Sequence, residues 1–181
     1  MSNIYGELIT PDTLQIERTL PGTIEHVWRY LTDPELRQHW LAAGPMELEM
    51  NGNVMLVFNN NSLTTAGDLP PEKYADYGDE HIVRGNITAC EPPFLLSYTW
   101  PMGENEHSEV RFQLTEQGDK VHLQLTHSRL IQTEHKLSVA GGWHVHLEFL
   151  QAQLKNQTPP PFWATHTKLE QEYARLFNVR D

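Results

Sequence analysis

The sequence predicts an α+β fold of the helix-grip kind, a curved antiparallel sheet wrapped around one long C-terminal helix. Three observations predict it. Short alternating segments between residues 81 and 128 are broken only by tight turns, as in an antiparallel meander. One apolar stripe of helical period follows, at Trp143, Leu147, Leu150 and Leu154. Two short, well-capped helical segments precede the strands. A single helix laid on a large curved sheet leaves an apolar cavity at the end it does not fill.

The elements follow in order. Leu14 to Leu20 is an extended run after the turn-like Thr10-Pro11-Asp12, and we read a strand that Pro21-Gly22 breaks. Thr23 is a good N-cap. Ile24, Val27, Trp28 and Leu31 then fall at i, i+3, i+4 and i+7, one face of a helix. Asp33 caps a second short helix with Pro34 at its first position, where a missing N–H costs nothing. Trp40 and Leu41 close this pair. Met46, Leu48 and Met50 alternate with Glu47 and Glu49 before Asn51-Gly52, a preferred two-residue hairpin turn, and Val54 to Phe58 is the return strand. That register sets Leu48 against Met55 and Met46 against Val57.

Residues 59–80 lack periodicity and read as a long loop or insertion, either a tolerated surface segment or a functional lid. Four strands follow, His81 to Ala89, Leu95 to Trp100, Ser108 to Glu116 and Lys120 to Ser128. In the last two, apolar residues alternate with polar ones, so each has a dry and a wet face. The long helix runs from Glu134 to Asn156. Gly141-Gly142 inside it marks a kink, the true start of the helix or a close approach to the sheet. Thr158-Pro159-Pro160-Pro161 ends it, and Phe162, Leu169, Tyr173 and Leu176 mark a final amphipathic helix. The predicted organisation is one domain over residues 1–157 and a Pro-linked helical extension over 158–181. The extension packs on its own domain or across a homodimer, so the chain is read as monomer or homodimer.

Composition narrows the function. The chain of 181 residues carries 24 acidic and 13 basic residues, a net charge of −11, with no basic cluster. Nucleic acid and anionic membrane are therefore poor partners. The single cysteine, Cys90, excludes an intrachain disulfide and fits a reducing compartment, so a cytoplasmic protein is expected. The N-terminus lacks the basic and apolar regions of a signal peptide.

Four segments carry a family resemblance. VWRYLTDPELRQHWL (Val27 to Leu41) resembles the opening helices of the activator of Hsp90 ATPase homologue family, in the START-like superfamily of polyketide cyclases and lipid-binding proteins. GNITACEPPFLLSYTW (Gly85 to Trp100) is similar to that family's strand pair, LTHSRL (Leu125 to Leu130) to its last strand, and GGWHVHLEFLQAQL (Gly141 to Leu154) to its Gly-Trp helix. The resemblance covers about residues 14–156 and implies a START/Bet v 1-like fold. Two features depart from the family pattern: residues 59–80 look longer than usual, and the tail after Thr158 is extra.

No catalytic or metal motif stands out. The ten histidines show no ligand spacing. His144 and His146, two apart on a helix, point away from each other, and His122 and His127, five apart on a strand, face opposite sides. No metal and no cofactor is expected. Glu47 and Glu49 lie on the wet face of their strand, and no basic neighbour activates Cys90. The aromatic set is the better lead: Trp28, Trp40, Tyr98, Trp100, Phe112 and Trp143 sit on or beside inward faces, either as core or as ligand-contacting rings. His127, on the face of Leu123 and Leu125, is a candidate polar handle. Three functions follow. The first is binding of a small apolar or aromatic molecule between sheet and helix. The resemblance implies the other two: a chaperone-modulating module that binds Hsp90 or another protein, and a cyclase- or aromatase-type enzyme, which requires an acid–base pair in the cavity.

Overall fold

The computed structural model describes residues 4–179. Residues 1–3 and 180–181, the outer ends of the two segments expected from the sequence, lie outside the described residues. Seven strands form one antiparallel sheet in the order β1-β2-β7-β6-β5-β4-β3. They are β1 (Glu7–Thr10), β2 (Thr13–Pro21), β3 (Asn53–Phe58), β4 (His81–Glu91), β5 (Leu95–Gly103), β6 (Glu106–Gln117) and β7 (Lys120–Ser128). Helices α1 (Ile24–Thr32) and α2 (Pro34–Arg37) bridge β2 and β3, and α4 (Thr133–Leu154) lies across the sheet. α5 (Phe162–Leu176) packs on α4. This is the START-like helix-grip fold that the sequence predicts.

The local signals act as expected. The Thr23 hydroxyl accepts from the His26 N–H and the Asp33 carboxylate from the Glu35 N–H, so each helix of the pair has its cap. Leu14, Ile16 and Leu20 on β2 and Val121, Leu123 and Leu125 on β7 face inward and are buried. Their registered neighbours, Gln15 with Thr126 and Glu17 with Gln124, form the wet face.

Two expectations need correction. The first is the hairpin at residues 46–58. Its first arm is not a strand: Met46 bridges Val54 rather than Val57, and Leu48 and Met50 are exposed. The chain instead turns at Glu49 to Gly52, with the Gly52 N–H bonded to the Glu49 carbonyl and Asn51 at φ +65°. A Cβ at position 52 would stand 2.1 Å from the Glu47 carbonyl oxygen, so only glycine permits this approach. What precedes the turn is a strap. Ala43, Pro45 and Glu47 pair their backbones with Val57, Met55 and Asn53, which covers the free edge of β3. The second is the N-terminal edge, where β1 pairs with β2 although sequence reasoning began the sheet at Leu14.

Arg37 fixes the helical pair to this strap. Its guanidinium is fully buried and donates to the carbonyls of Leu31, Thr32, Ala42, Ala43 and Gly44. A buried cation normally needs a carboxylate. Here five carbonyl dipoles, two of them at the end of α1, do that work.

Candidate functional site: an aromatic cluster around a buried histidine

Five of the seven residues singled out from the sequence meet between the sheet and α4. Trp143 on α4 stands edge-on to Trp100 and Phe112, with ring centroids 5.4 and 5.5 Å apart. Tyr98 lies 6.0 Å from Phe112 and stacks with Trp100 at 6.5 Å. His127 lies 5.9 Å from Trp100. Alternation explains the meeting: Tyr98 and Trp100 share a face of β5, Val110 pairs with both Tyr98 and His127, and Ser108 pairs with Trp100. Trp28 and Trp40 belong to a different layer. Both are buried in the helical pair, where the Trp40 indole N–H donates to the Tyr30 carbonyl at 2.8 Å. Among the described residues neither makes a ring contact with the cluster.

The rings occupy the space in which sequence reasoning placed an open cavity. Tyr98, Phe112, His127 and Trp143 are buried, and Trp100 is partly exposed. Clefts open on the surface, among them two away from the ring cluster. One of about 530 Å³ is lined by Phe94, Arg111, Gln113 and Glu116 among others. The other, of about 290 Å³, lies where the β5–β6 hairpin meets the start of α4 and is lined by Met102, His107, Arg129, Ile131 and His135 among others.

His127 sits in a closed relay. The Trp143 indole N–H donates to His127 Nδ1 at 2.9 Å. Indole is a donor only, so Nδ1 carries no proton and Nε2 carries the one of the neutral ring. Nε2 then donates to Ser108 Oγ at 2.6 Å, and the Ser108 hydroxyl donates to the Trp100 carbonyl at 3.1 Å. Burial in this apolar setting pushes the His127 pKa down to about 3, so the ring is neutral at pH 7. The chemical consequence is specific. A serine nucleophile needs a histidine whose near nitrogen accepts its proton. Here that nitrogen is the donor, so the Ser108–His127 pair orients the rings and does not activate the hydroxyl.

A second layer lies outside the first. The segment 59–80 holds a short helix α3 (Asn60–Leu63) and a 3-10 turn (Glu72–Tyr77), and it docks on α5. The Asp68 carboxylate accepts from the Trp163 N–H at 2.7 Å and the Ala164 N–H at 3.0 Å. Thr64 Oγ1 accepts from the Phe162 N–H at 2.9 Å. Thus α5, preceded by Pro161 with no side-chain cap of its own, takes its cap from a residue some ninety positions earlier. Glu170 accepts from Lys73 and from the Tyr74 hydroxyl. Tyr74 stacks on Trp163 at 6.3 Å. Sequence reasoning missed Asp68, Glu170 and Arg37. The signal for Asp68 was indirect: a helix that opens after Pro-Pro-Pro has no local cap, so its first N–H groups need an acceptor from elsewhere.

Two histidines of α4, His144 and His146, tie it to neighbouring elements. His146 Nδ1 donates to the Trp40 carbonyl at 2.7 Å, and burial lowers its pKa to about 4. His144 Nδ1 lies 2.8 Å from the Tyr173 hydroxyl, which also accepts from the Gly6 N–H. Burial pushes the Tyr173 pKa up to about 12. α4 runs unbroken through Gly141-Gly142, and the close approach there is to α5: a Cβ at 141 would stand 3.5 Å from His166 Nε2. Among the described residues no group of three or more His, Cys, Asp or Glu could hold a metal ion, and no helix is long and apolar enough to cross a membrane.

Comparison with known proteins agrees with this geometry. The sequence profile described as "Activator of Hsp90 ATPase homolog 1-like protein" matches residues 21–155. The structure of the protein encoded by gene BPP1335 of Bordetella parapertussis is 40% identical, with a TM-score of 0.81, over 96% of this chain and 90% of that one. CalU16 from Micromonospora echinospora is 22% identical at a TM-score of 0.68, over 97% of this chain and 96% of that one. DynU16, titled a putative protein in the dynemicin biosynthetic locus, is 16% identical at a TM-score of 0.64, over 84% of this chain and 51% of that one. The last two show the fold alone. The first two alignments span nearly the whole chain, so the helix beyond the profile is not private to it. Comparison with curated proteins gives no significant match.

Proposed function

The chain belongs to the activator of Hsp90 ATPase homologue 1-like family, and from that premise we propose that it binds a small apolar or aromatic molecule between the sheet and α4. The carrying observation is the cluster of Tyr98, Trp100, Phe112 and Trp143 around one neutral, fully hydrogen-bonded histidine. Rings give large, rigid contact area at small entropic cost, and a ligand of the same chemistry replaces ring–ring contacts with ring–ligand contacts. Trp100, partly exposed and touching Phe58, Tyr98, His127 and Trp143, is the ring that yields. The relay supports binding over catalysis, because the cyclase reading needs a base and the Nε2 of His127 is a donor.

The test is a thermal-shift screen of uncharged aromatic compounds, followed by native mass spectrometry of the hits. A ligand present at a hundred times its dissociation constant stabilises the fold by about 2.7 kcal/mol. The expected result is a saturable rise in Tm that Trp100→Ala changes. A screen without any saturable stabiliser overturns the reading. The chaperone-modulating alternative draws its support from the family's description alone. A pull-down with an ATPase assay on Hsp90 tests it, and stimulation by this chain would place it first.

A further inference from the structure

Arg18 and Arg37 are both buried, and their hydrogen bonding differs. A guanidinium carries five N–H donors. Arg37 spends all of them, on the carbonyls of Leu31, Thr32, Ala42, Ala43 and Gly44. Arg18, 7% exposed, spends one: its Nη1 donates to the Glu17 carbonyl at 2.8 Å. Among the described residues no carboxylate lies within ion-pair distance of it. The Nε–Nη2 edge, the fork that takes a carboxylate side-on, is wholly unspent.

Alternation along β2 turns Arg18 to the inner face with Leu14, Ile16 and Leu20, and its registered partner on β7 is the buried Leu123. Its neighbours in that row are therefore apolar. The polar groups whose fields reach the guanidinium are Tyr173 of α5 and Glu148 of α4. Both are engaged elsewhere. The Tyr173 hydroxyl meets the Gly6 N–H and His144 Nδ1, and the Glu148 carboxylate lies 3.4 Å from His144 Nε2. Tyr5 stands edge-on to His144 at 5.3 Å and to Tyr173 at 5.8 Å. The place is not sealed. The side-chain atoms that are both sealed and unpartnered are Asn60 Oδ1 and His166 Nδ1, so the spare donors of Arg18 meet solvent. A buried cation with unspent donors is costly, and an anion on the fork offsets that cost. One positive charge with Glu148 in its field suits a monoanion, whereas a dianion such as phosphate meets repulsion. The planar fork matches a carboxylate, and the apolar row beside the Tyr5 ring suits an aromatic body.

We propose that Arg18 is a carboxylate-binding site, whose Nε–Nη2 edge takes the head of a small aromatic monocarboxylic acid with its ring beside Tyr5. The site is separate from the ring cluster: on β2 it stands four residues from Leu14, the registered partner of His127. It does not rest on binding at that cluster.

The experiment titrates the full chain at low salt with benzoate, with its uncharged analogue benzamide and with inorganic phosphate, and follows the Arg18 Nε–H signal by NMR. The expected result is a saturable shift with benzoate and none with benzamide or phosphate at the same concentrations. Arg18→Met, which keeps the packing of the stem, should weaken benzoate binding about tenfold or more, the loss of a charge-assisted pair. Arg18→Lys keeps the charge without the fork and should weaken it by less, which serves if the Met variant does not fold. Glu148→Gln removes a neighbouring negative charge and should tighten binding about twofold to fivefold. If Arg18 were only a structural cation held by the field of Glu148, that variant would lose stability and gain no affinity, and that outcome overturns the site. So does an Arg18 signal that benzoate leaves in place in the unaltered chain, or benzoate binding equally strong in Arg18→Met. A shift with phosphate larger than with benzoate overturns the carboxylate assignment.

Discussion

The molecule holds two aromatic layers that differ in how they are tied. In the inner one, between the sheet and α4, Trp143, His127, Ser108 and Trp100 form a chain in which each donor meets an acceptor and no member is charged. In the outer one, between residues 59–80 and α5, the rings of Tyr74, Trp163 and His166 are as closely packed, but Asp68, Lys73 and Glu170 also fasten them, and Asn60 Oδ1 and His166 Nδ1 lack a hydrogen-bond partner. The difference teaches that two equally packed sets of rings can be tied by different polar chemistry. A neutral, satisfied network in low dielectric is held strongly, whereas ties at the surface compete with water and salt.

The largest expected effect tests the inner layer. Trp143→Ala removes a buried ring and the donor to His127, and it should cost about 3–5 kcal/mol of global stability by urea denaturation. Trp163→Ala in the outer layer should cost less and should raise hydrogen exchange chiefly in α5. Equal global losses would break the distinction.

Acid sharpens it next. His127 and His146 have folded pKa values near 3 and near 4, both below the ordinary 6.5 because burial disfavours the charged ring. Between those values and 6.5 the unfolded chain binds more protons than the folded one. Stability is therefore complete above about pH 6.5 and falls as pH drops toward 4, by about 1.4 kcal/mol per unit for each group. The expected outcome is a urea midpoint that falls from pH 7 to pH 4.5, with a smaller fall in His127→Asn. An identical fall in that variant would show that the relay takes no part.

The smaller effects belong to the outer layer. Asp68→Ala should cost about 1 kcal/mol, the ordinary loss of a helix cap. Tyr74→Phe, which removes one hydrogen bond to Glu170, should cost about 0.5–1.5 kcal/mol. Both losses should appear in the α5 amides before they appear in the sheet, and added salt should weaken Lys73–Glu170 without affecting the His127 relay. A salt response shared by both layers would contradict the contrast between them.

Much of the fold could be read from the chain, for local reasons. Thr23 and Asp33 announced their helices because capping is settled within three residues. The alternation of β6 and β7 announced their faces, and with them the inward placing of Phe112 and His127. The hairpin register failed because Asn51-Gly52 fits more than one turn, and the choice fell to the strap that closes the β3 edge. The candidate site was half legible. Its rings were named from their faces, but the division that leaves Trp28 and Trp40 outside the cluster depends on which elements lie side by side.

The sequence by itself determined which residues turn inward, where most helices begin and that the strands from residue 81 to 128 form an antiparallel meander, since each depends on near neighbours in the chain, whereas the pairing of β2 with β7 came only with the fold. The tertiary structure alone decided that Asp68 caps a helix some ninety residues away, that Arg37 gathers carbonyls from both sides of its own helix, and that the Trp143 indole reaches His127 and so fixes which nitrogen holds the proton. Polar partnership at a distance leaves no period in the sequence. It arises when the folded chain brings an unpaired donor to an unpaired acceptor and takes away the water that would otherwise have served both.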